Sequence, residues 1–222
     1  MTKVVTLEEV KNNPVVKNFI EASNEYLGLI CYTEHGFRHV SYVSNLAGNI
    51  LRYLNYQERL CELASIAGYL HDIGNIINRN DHGQSSAILA MTILDNMGMP
   101  AEEIALIISA IGNHEEEIGE PMNPVSAALI LADKSDVNKA RVRNPKIISL
   151  DIHDRVNYAV ERNFVEVLPD KKIIKLNLDI NTTISNIIEY FEIFLPRMVI
   201  CRRAANYLGC KFELVINNQK VI

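Results

Sequence analysis

The feature that most constrains the fold of this chain is a change of hydrophobic period near residue 163. Before it, apolar residues recur at intervals of three and four: Val40, Val43, Ala47, Ile50, Leu51 and Leu54, then Leu60, Leu63, Ala67 and Leu70, then Ile104, Ile107, Ile108 and Ile111. That spacing lines one face of a helix. Helix punctuation fills the same stretch. Thr6 with Glu9 makes a capping box, Asn13-Pro14 and Asn123-Pro124 each set a cap residue before a proline suited to the first helical position, and Gly98 closes a helix before Met99-Pro100 begins the next. Residues 6–162 therefore read as about seven or eight helices joined by short loops. After the change, Phe164–Leu168 and Lys172–Ile180 alternate apolar and polar residues around Pro169-Asp170-Lys171, the pattern of a hairpin. A helix is expected from about Thr183 to Leu208, stopped by Gly209, and Lys211–Ile216 alternates again as a strand. The chain is thus expected to be mainly α, a helical domain over residues 1–162 followed by a small C-terminal β-β-α-β subdomain over 163–222. Three strands and one helix make a thin core, so this subdomain is expected to pack on the body or on a second copy.

Composition narrows the partners. Twenty-two basic against 27 acidic residues leave a net charge of −5. A nucleic-acid backbone binder needs a basic face, so no nucleic acid is expected; a small anion stays compatible, because a local cluster can oppose the global sign. The amino-terminal MTKVVTLEEVKNN has no apolar targeting core, and no apolar run approaches the ~20 residues that span a bilayer. The expectation is a cytoplasmic protein without a membrane partner. Cys31, Cys61, Cys201 and Cys210 show no CxxC spacing, sit among apolar neighbours and read as reduced core residues.

The chemistry lies in polar residues that interrupt apolar helices. His39 falls on the stripe of its own helix, where an unpaired imidazole is costly to bury. His71-Asp72 ends LASIAGYL, with Gly74 just after, and Asp133 interrupts the run VSAALILA, where a carboxylate demands a partner or an ion. His82 opens the helix HGQSSAILAMTIL, and His114 ends IALIISAIGNH. Four imidazoles and two carboxylates suit borderline divalent ions such as Fe, Mn, Co, Ni or Zn rather than Ca.

In this order, His39, His71-Asp72 and Asp133 resemble the H…HD…D signature of the HD-domain superfamily of metal-dependent phosphohydrolases, and His82 and His114 resemble the extra ligands of its two-metal members. The likeness spans roughly residues 30–140, over half the chain. It implies an HD-domain helical bundle holding two divalent transition-metal ions, with Asp72 bridging them, His39, His71 and Asp133 on one ion and His82 and His114 on the other. It further implies that Asp72 and His71 are catalytic and that a metal-bridging water attacks phosphorus. The implied activity is hydrolysis of a phosphate ester of a nucleotide or related small molecule. Two departures argue against cyclic di-GMP as that substrate: Asn113 stands where the cyclic-dinucleotide phosphodiesterases carry a second adjacent His, and HEEEIGEPMNP lacks their GYP segment. Asn75 stands where many HDIG proteins carry Lys. The same ligands also occur in the superfamily's di-iron oxygenases, and a non-catalytic metal-bound signalling or oligomerisation scaffold, dimerising through the C-terminal subdomain, is a third reading.

Other polar residues carry weaker signals. His35 precedes His39 by four, which would set both on one helical face; His35, Arg38 and Lys134 are candidates for contact with a substrate phosphate. Arg141 and Arg143 read as a solvated helix end, and Glu115, Glu116 and Glu117 are expected to face solvent, since they would repel a phosphate. His153-Asp154 lacks the preceding apolar run and reads as an exposed helix. Arg197, Arg202 and Arg203 read as a basic helix end that complements the helix dipole.

Overall fold

The computed structural model describes residues 3–148 and 151–222. Its helices are α1 Leu7–Asn12, α2 Pro14–Leu29, α3 Phe37–Tyr53, α4 Glu58–Leu70, α5 His82–Asn96, α6 Ala101–Gly112, α7 Pro124–Lys134 and α8 Ile152–Ala159; then follow β1 Val160–Leu168, β2 Ile173–Ile180, α9 Ile187–Tyr207, β3 Lys211–Ile216 and β4 Gln219–Lys220. The caps expected from sequence are made. Thr6 and Glu9 bond reciprocally at the start of α1, the Asn13 side chain accepts from Val15 and Val16 at α2, and Asn123 accepts from Ser126 at α7.

The body is a helical bundle with an apolar core. Helices α3 and α4 approach closely because small residues line their contact: a Cβ on Gly68 would lie 2.9 Å from the Ser44 backbone, and one on Gly48 would lie 2.2 Å from Ser65 Oγ. Ser44 Oγ donates to Ser65 O at 2.7 Å across this seam. The close approach sets the first turn of α3, with His39, beside the last residues of α4, with His71. Beyond His71 the chain leaves the α-helix, and Asp72 takes φ −107° and ψ 0°, a sparsely used conformation, before a single tight turn over Ile73–Ile76. Gly74 in that turn lies against the start of α5.

The C-terminal subdomain forms one sheet in the order β1-β2-β3-β4. Strands β1 and β2 pair antiparallel, β2 and β3 parallel across the α9 crossover, and β3 and β4 antiparallel. Strand β2 alternates half-buried and buried positions along its whole length, the period-two pattern read from sequence. The subdomain packs on the body through α9, whose Tyr190, Phe194 and Met198 are buried in the same core as α7.

Several boundaries differ from expectation. Strand β1 starts at Val160 rather than Phe164, because it extends directly from α8 and pairs as far as Ile180. Helix α9 starts at Ile187 rather than Thr183, because Asn186 and Glu189 make a reciprocal capping box there. The short strand β4 was not expected; two residues pairing after a turn at Asn217-Asn218, both with positive φ, are below the reach of period counting. Cys61, Cys201 and Cys210 are buried thiols, whereas Cys31 is exposed, just past α2 at φ 63°.

Gly74→Ala tests the packing that supports the site. Its new Cβ would stand 2.3 Å from Ser86 N and 2.5 Å from His82 O, backbone atoms that cannot move aside. The substitution is expected to destabilise the fold by about 1–3 kcal/mol, seen as a lower urea midpoint with an unchanged m-value.

Candidate metal centre

Helix ends from five elements converge on one buried cluster. His39 comes from the first turn of α3, His71 and Asp72 from the end of α4, His82 from the first residue of α5, His114 from just beyond α6, and Asp133 from the last turn of α7. All six are buried. Their ligand-type atoms lie within 4.8 Å of one another in three sets: His39, His71 and Asp72; His71, His114 and Asp133; and Asp72, His82 and His114. The structure therefore brings together all six residues picked out in the sequence.

The protons on the rings follow from their partners. His71 Nδ1 faces Gly68 O at 2.9 Å, His82 Nδ1 faces Arg79 O at 3.2 Å, and His114 Nδ1 faces Ile111 O at 2.6 Å. A carbonyl only accepts, so each Nδ1 carries the hydrogen and each Nε2 turns its lone pair into the cluster. His39 follows the same rule with a carboxylate, its Nδ1 donating to Asp136 Oδ2 at 2.7 Å.

Those lone pairs face one another. His39 Nε2 lies 3.2 Å from His71 Nε2, and His82 Nε2 lies 3.1 Å from His114 Nε2. Asp72 Oδ2 stands 3.4 Å from His39 Nε2 and 3.3 Å from His71 Nε2, its Oδ1 stands 3.4 Å from His82 Nε2, and Asp133 Oδ1 stands 3.4 Å from His39 Nε2. Asp72 Oδ2 is buried without a hydrogen-bond donor. An orphaned carboxylate oxygen among converging lone pairs is stable only beside positive charge. Neutral imidazole Nε2 and carboxylate oxygen are also the donors that borderline divalent metals take, so the residues fit such ions.

The electrostatics of the side chains alone point the same way. Burial pushes the Asp72 and Asp133 carboxyls up, yet the imidazoles around both, and Lys134 beside Asp133, hold each well below the usual carboxylate range. Burial would lower His71, but Asp72 and Asp133 raise it to about 10 when no ion is bound, so a metal taking its Nε2 lone pair would displace a proton there. His114 is held well below its ordinary value by burial and by the neighbouring His82 and Lys134. The cluster thus draws in positive charge, and its own rings share it unevenly.

A surrounding layer orients these groups. Asp136 accepts from both Arg38 Nη1 at 3.2 Å and Nη2 at 2.7 Å while holding His39, the carboxylate–histidine arrangement common behind metal-binding imidazoles. Asn75 donates to Asp72 Oδ1 at 3.0 Å and to Asp72 O at 2.9 Å. Lys134 Nζ reaches Asp133 Oδ2 and Glu116 Oε2, each at 2.7 Å, and Glu116 in turn accepts from Arg197 Nε at 3.1 Å. Asp136, Asn75, Glu116 and Arg197 were not read as site residues. Asp136 stands three residues after Asp133, just past the end of α7, and that spacing is the available signal.

Other expectations resolve differently. His35 precedes α3 instead of sharing a face with His39; its Nδ1 donates to Thr33 O at 2.7 Å and its Nε2 accepts from Arg141 Nη2 at 2.8 Å. Arg38 is tied to Asp136 and Glu34, and Lys134 to Asp133 and Glu116. Arg141 is buried rather than solvated, because its guanidinium also holds Asp136 O and Glu34 O. Glu115 and Glu116 turn inward: Glu115 accepts from Gly83 N at 2.9 Å, and local cations neutralise Glu116. Glu117 is exposed. Arg197 lies mid-helix and faces the body instead of closing a helix end. His153 is exposed and pairs with Asp151.

Residues 36–138 match the family model described as HD domain. The chain is 28% identical over 190 residues to an uncharacterized protein of Methanocaldococcus jannaschii, covering 75% of this chain and 73% of that one. It is also similar, at 25% identity and a TM-score of 0.46, to a crystal structure of a predicted HD superfamily hydrolase from an uncultured Thermotogales bacterium, covering 61% of this chain and 76% of the other.

Asp136→Ala would leave His39 Nδ1, Arg38 and the buried Arg141 without their shared carboxylate, and is expected to cost about 3–5 kcal/mol of stability. The wild-type pH dependence has a defined sign. Burial raises the Asp136 carboxyl, but His39, Arg141 and Arg38 hold it well below its ordinary 3.8. Its contribution is therefore complete above about pH 4 and is lost as pH falls below that. Chemical denaturation between pH 3 and 7 should show the wild type losing this acid-side increment and Asp136→Ala losing less.

Proposed function

We propose that residues 36–138, which match the family model described as HD domain, belong to the metal-dependent phosphohydrolase superfamily and that the protein hydrolyses a phosphate ester of a nucleotide or related small molecule. In this reading His39, His71, Asp72 and Asp133 would hold one divalent transition-metal ion, and Asp72, His82 and His114 would hold a second. The observation that carries it is Asp72 Oδ2, buried without a donor while imidazole lone pairs converge on it. Bound there, such ions supply Lewis acidity toward a phosphoryl oxygen and lower the pKa of water to near neutrality.

The chain's own residues do the rest. Asp136, Gly68 O, Arg79 O and Ile111 O each accept a hydrogen bond from one imidazole Nδ1–H, which fixes tautomer and ring direction before any ligand arrives. Asn75 holds the Asp72 carboxylate by one oxygen, and Lys134 holds Asp133 by Oδ2, leaving Asp133 Oδ1 directed to His39 and His71. Apolar helices behind the cluster, with Leu70, Ile73 and Ile111 fully buried, keep water to one side. A small phosphorylated molecule suits a buried cluster between helix ends better than a polymer does, and the net charge of −5 offers no backbone-binding face. Among the described residues no helix is long and apolar enough to cross a membrane.

Phosphate release from a panel of nucleotides, dinucleoside polyphosphates and sugar phosphates, with added Mn²⁺, Ni²⁺ or Fe²⁺, tests the proposal. Wild type is expected to release phosphate from part of the panel. Asp72→Ala is expected to lose about a thousandfold or more in rate and to bind less metal. Retention of both metal and activity in Asp72→Ala would overturn the assignment.

A further inference from the structure

Four cations border the cluster and are already committed. Arg38 is paired with Asp136 and Glu34, Lys134 with Asp133 and Glu116, and Arg197 with Glu116. Arg141 is buried, with Asp136 Oδ2 at 3.8 Å and His35 Nε2, Glu34 O and Asp136 O as acceptors.

Arg79 is different. Among the described residues no carboxylate lies within ion-pair distance of its guanidinium, and its side-chain partners are neutral. Nη1 donates to Asn75 Oδ1 at 3.1 Å, and the guanidinium carbon stands 5.3 Å from the centre of the Tyr32 ring. Both of its ends are tied to the cluster. Its backbone oxygen accepts from His82 Nδ1, and Asn75, which its side chain holds, donates to Asp72 Oδ1. Its charge reaches His35, whose ring lies 5.2 Å from that of His39. The residue is half-buried and Tyr32 beside it is 44% exposed, so solvent reaches this fork.

A guanidinium has five N–H donors in a fixed plane, and here one is used within the protein. An aromatic face and a buried amide hold that plane still, so little side-chain freedom remains to be lost when an anion binds. The remaining donors match two oxygens of a phosphate in parallel. We propose that Arg79 is the group that receives the non-reacting oxygens of the substrate phosphate, with Asn75 setting its reach and Tyr32 its plane. This rests on the phosphohydrolase reading, and it differs from the contacts expected at Arg38 and Lys134, whose charges are already balanced by carboxylates.

The test is titration of inorganic phosphate into the full chain, as purified and after Mn²⁺ loading, with metal content measured alongside. Wild type is expected to bind phosphate. Arg79→Ala should bind it about tenfold or more weakly with unchanged metal content, because the backbone oxygen that orients His82 survives the substitution. Arg79→Lys, which keeps the charge without the fork, should recover part of the affinity. Equal phosphate affinity in wild type and Arg79→Ala, no binding by wild type, or a lysine variant as weak as alanine would each overturn the proposal. The two readings fail separately: Arg79-dependent phosphate binding with no ester turned over removes the phosphohydrolase and leaves the anion site, whereas turnover indifferent to Arg79→Ala does the reverse.

Discussion

Everything around the cluster is arranged to let two carboxylates and four imidazoles be buried at one point. Asp72 has the harder task, since one of its oxygens finds no donor in the protein and the other finds only Asn75. A lone carboxylate at that depth would be expelled or protonated. Here it is kept because imidazole rings surround it, and because a site of such donors is completed by a cation. The convergence is possible only where helices end. Each ligand-bearing residue occupies a first turn, a last turn or the position just beyond one, so its side chain escapes the close packing of the bundle while its backbone stays anchored in it.

That anchoring depends on glycine and serine at places where nothing larger fits. Gly48, Ser65, Gly68 and Ser44 let α3 and α4 touch along their length, which sets His39 against His71. Gly74 lets the turn after Asp72 lie on the start of α5, which sets Asp72 against His82. The ring tautomers then follow from the bundle, because the acceptors for the Nδ1 hydrogens of His71 and His114 are carbonyls in the last turns of α4 and α6. Helix carbonyls thus orient His71 and His114, while the segments beside the helix ends orient His39 through Asp136 and His82 through Arg79 O.

The C-terminal subdomain takes part in this arrangement. Arg197 in α9 holds Glu116, Glu116 holds Lys134, and Lys134 holds Asp133. Further along α9, Arg203 pairs with Glu120, and Tyr207 Oη donates to Met122 O, so the segment between α6 and α7 is fastened to α9 at three points. Arg197 joins this wall from more than 60 positions further along the chain than Glu116, Asp133 and Lys134, and no local rule relates it to them.

Sequence by itself determined the helices of the body, the alternating strands of the tail and the six residues of the cluster. Periodicity and capping act over a few residues and leave a direct trace in the chain, and a His or Asp on an apolar face is conspicuous because burial would be costly without a partner. Tertiary structure alone decided the charge pairs. Glu116, Arg141 and Arg197 look in sequence like ordinary solvated charge, and Asp136 is marked there only by its spacing from Asp133; all four become part of the site when packing brings opposite charges from distant segments within hydrogen-bond reach. Arg79 shows the same limit from the other side: that it lacks a carboxylate partner is a fact about its neighbours in space, which the order of residues does not record.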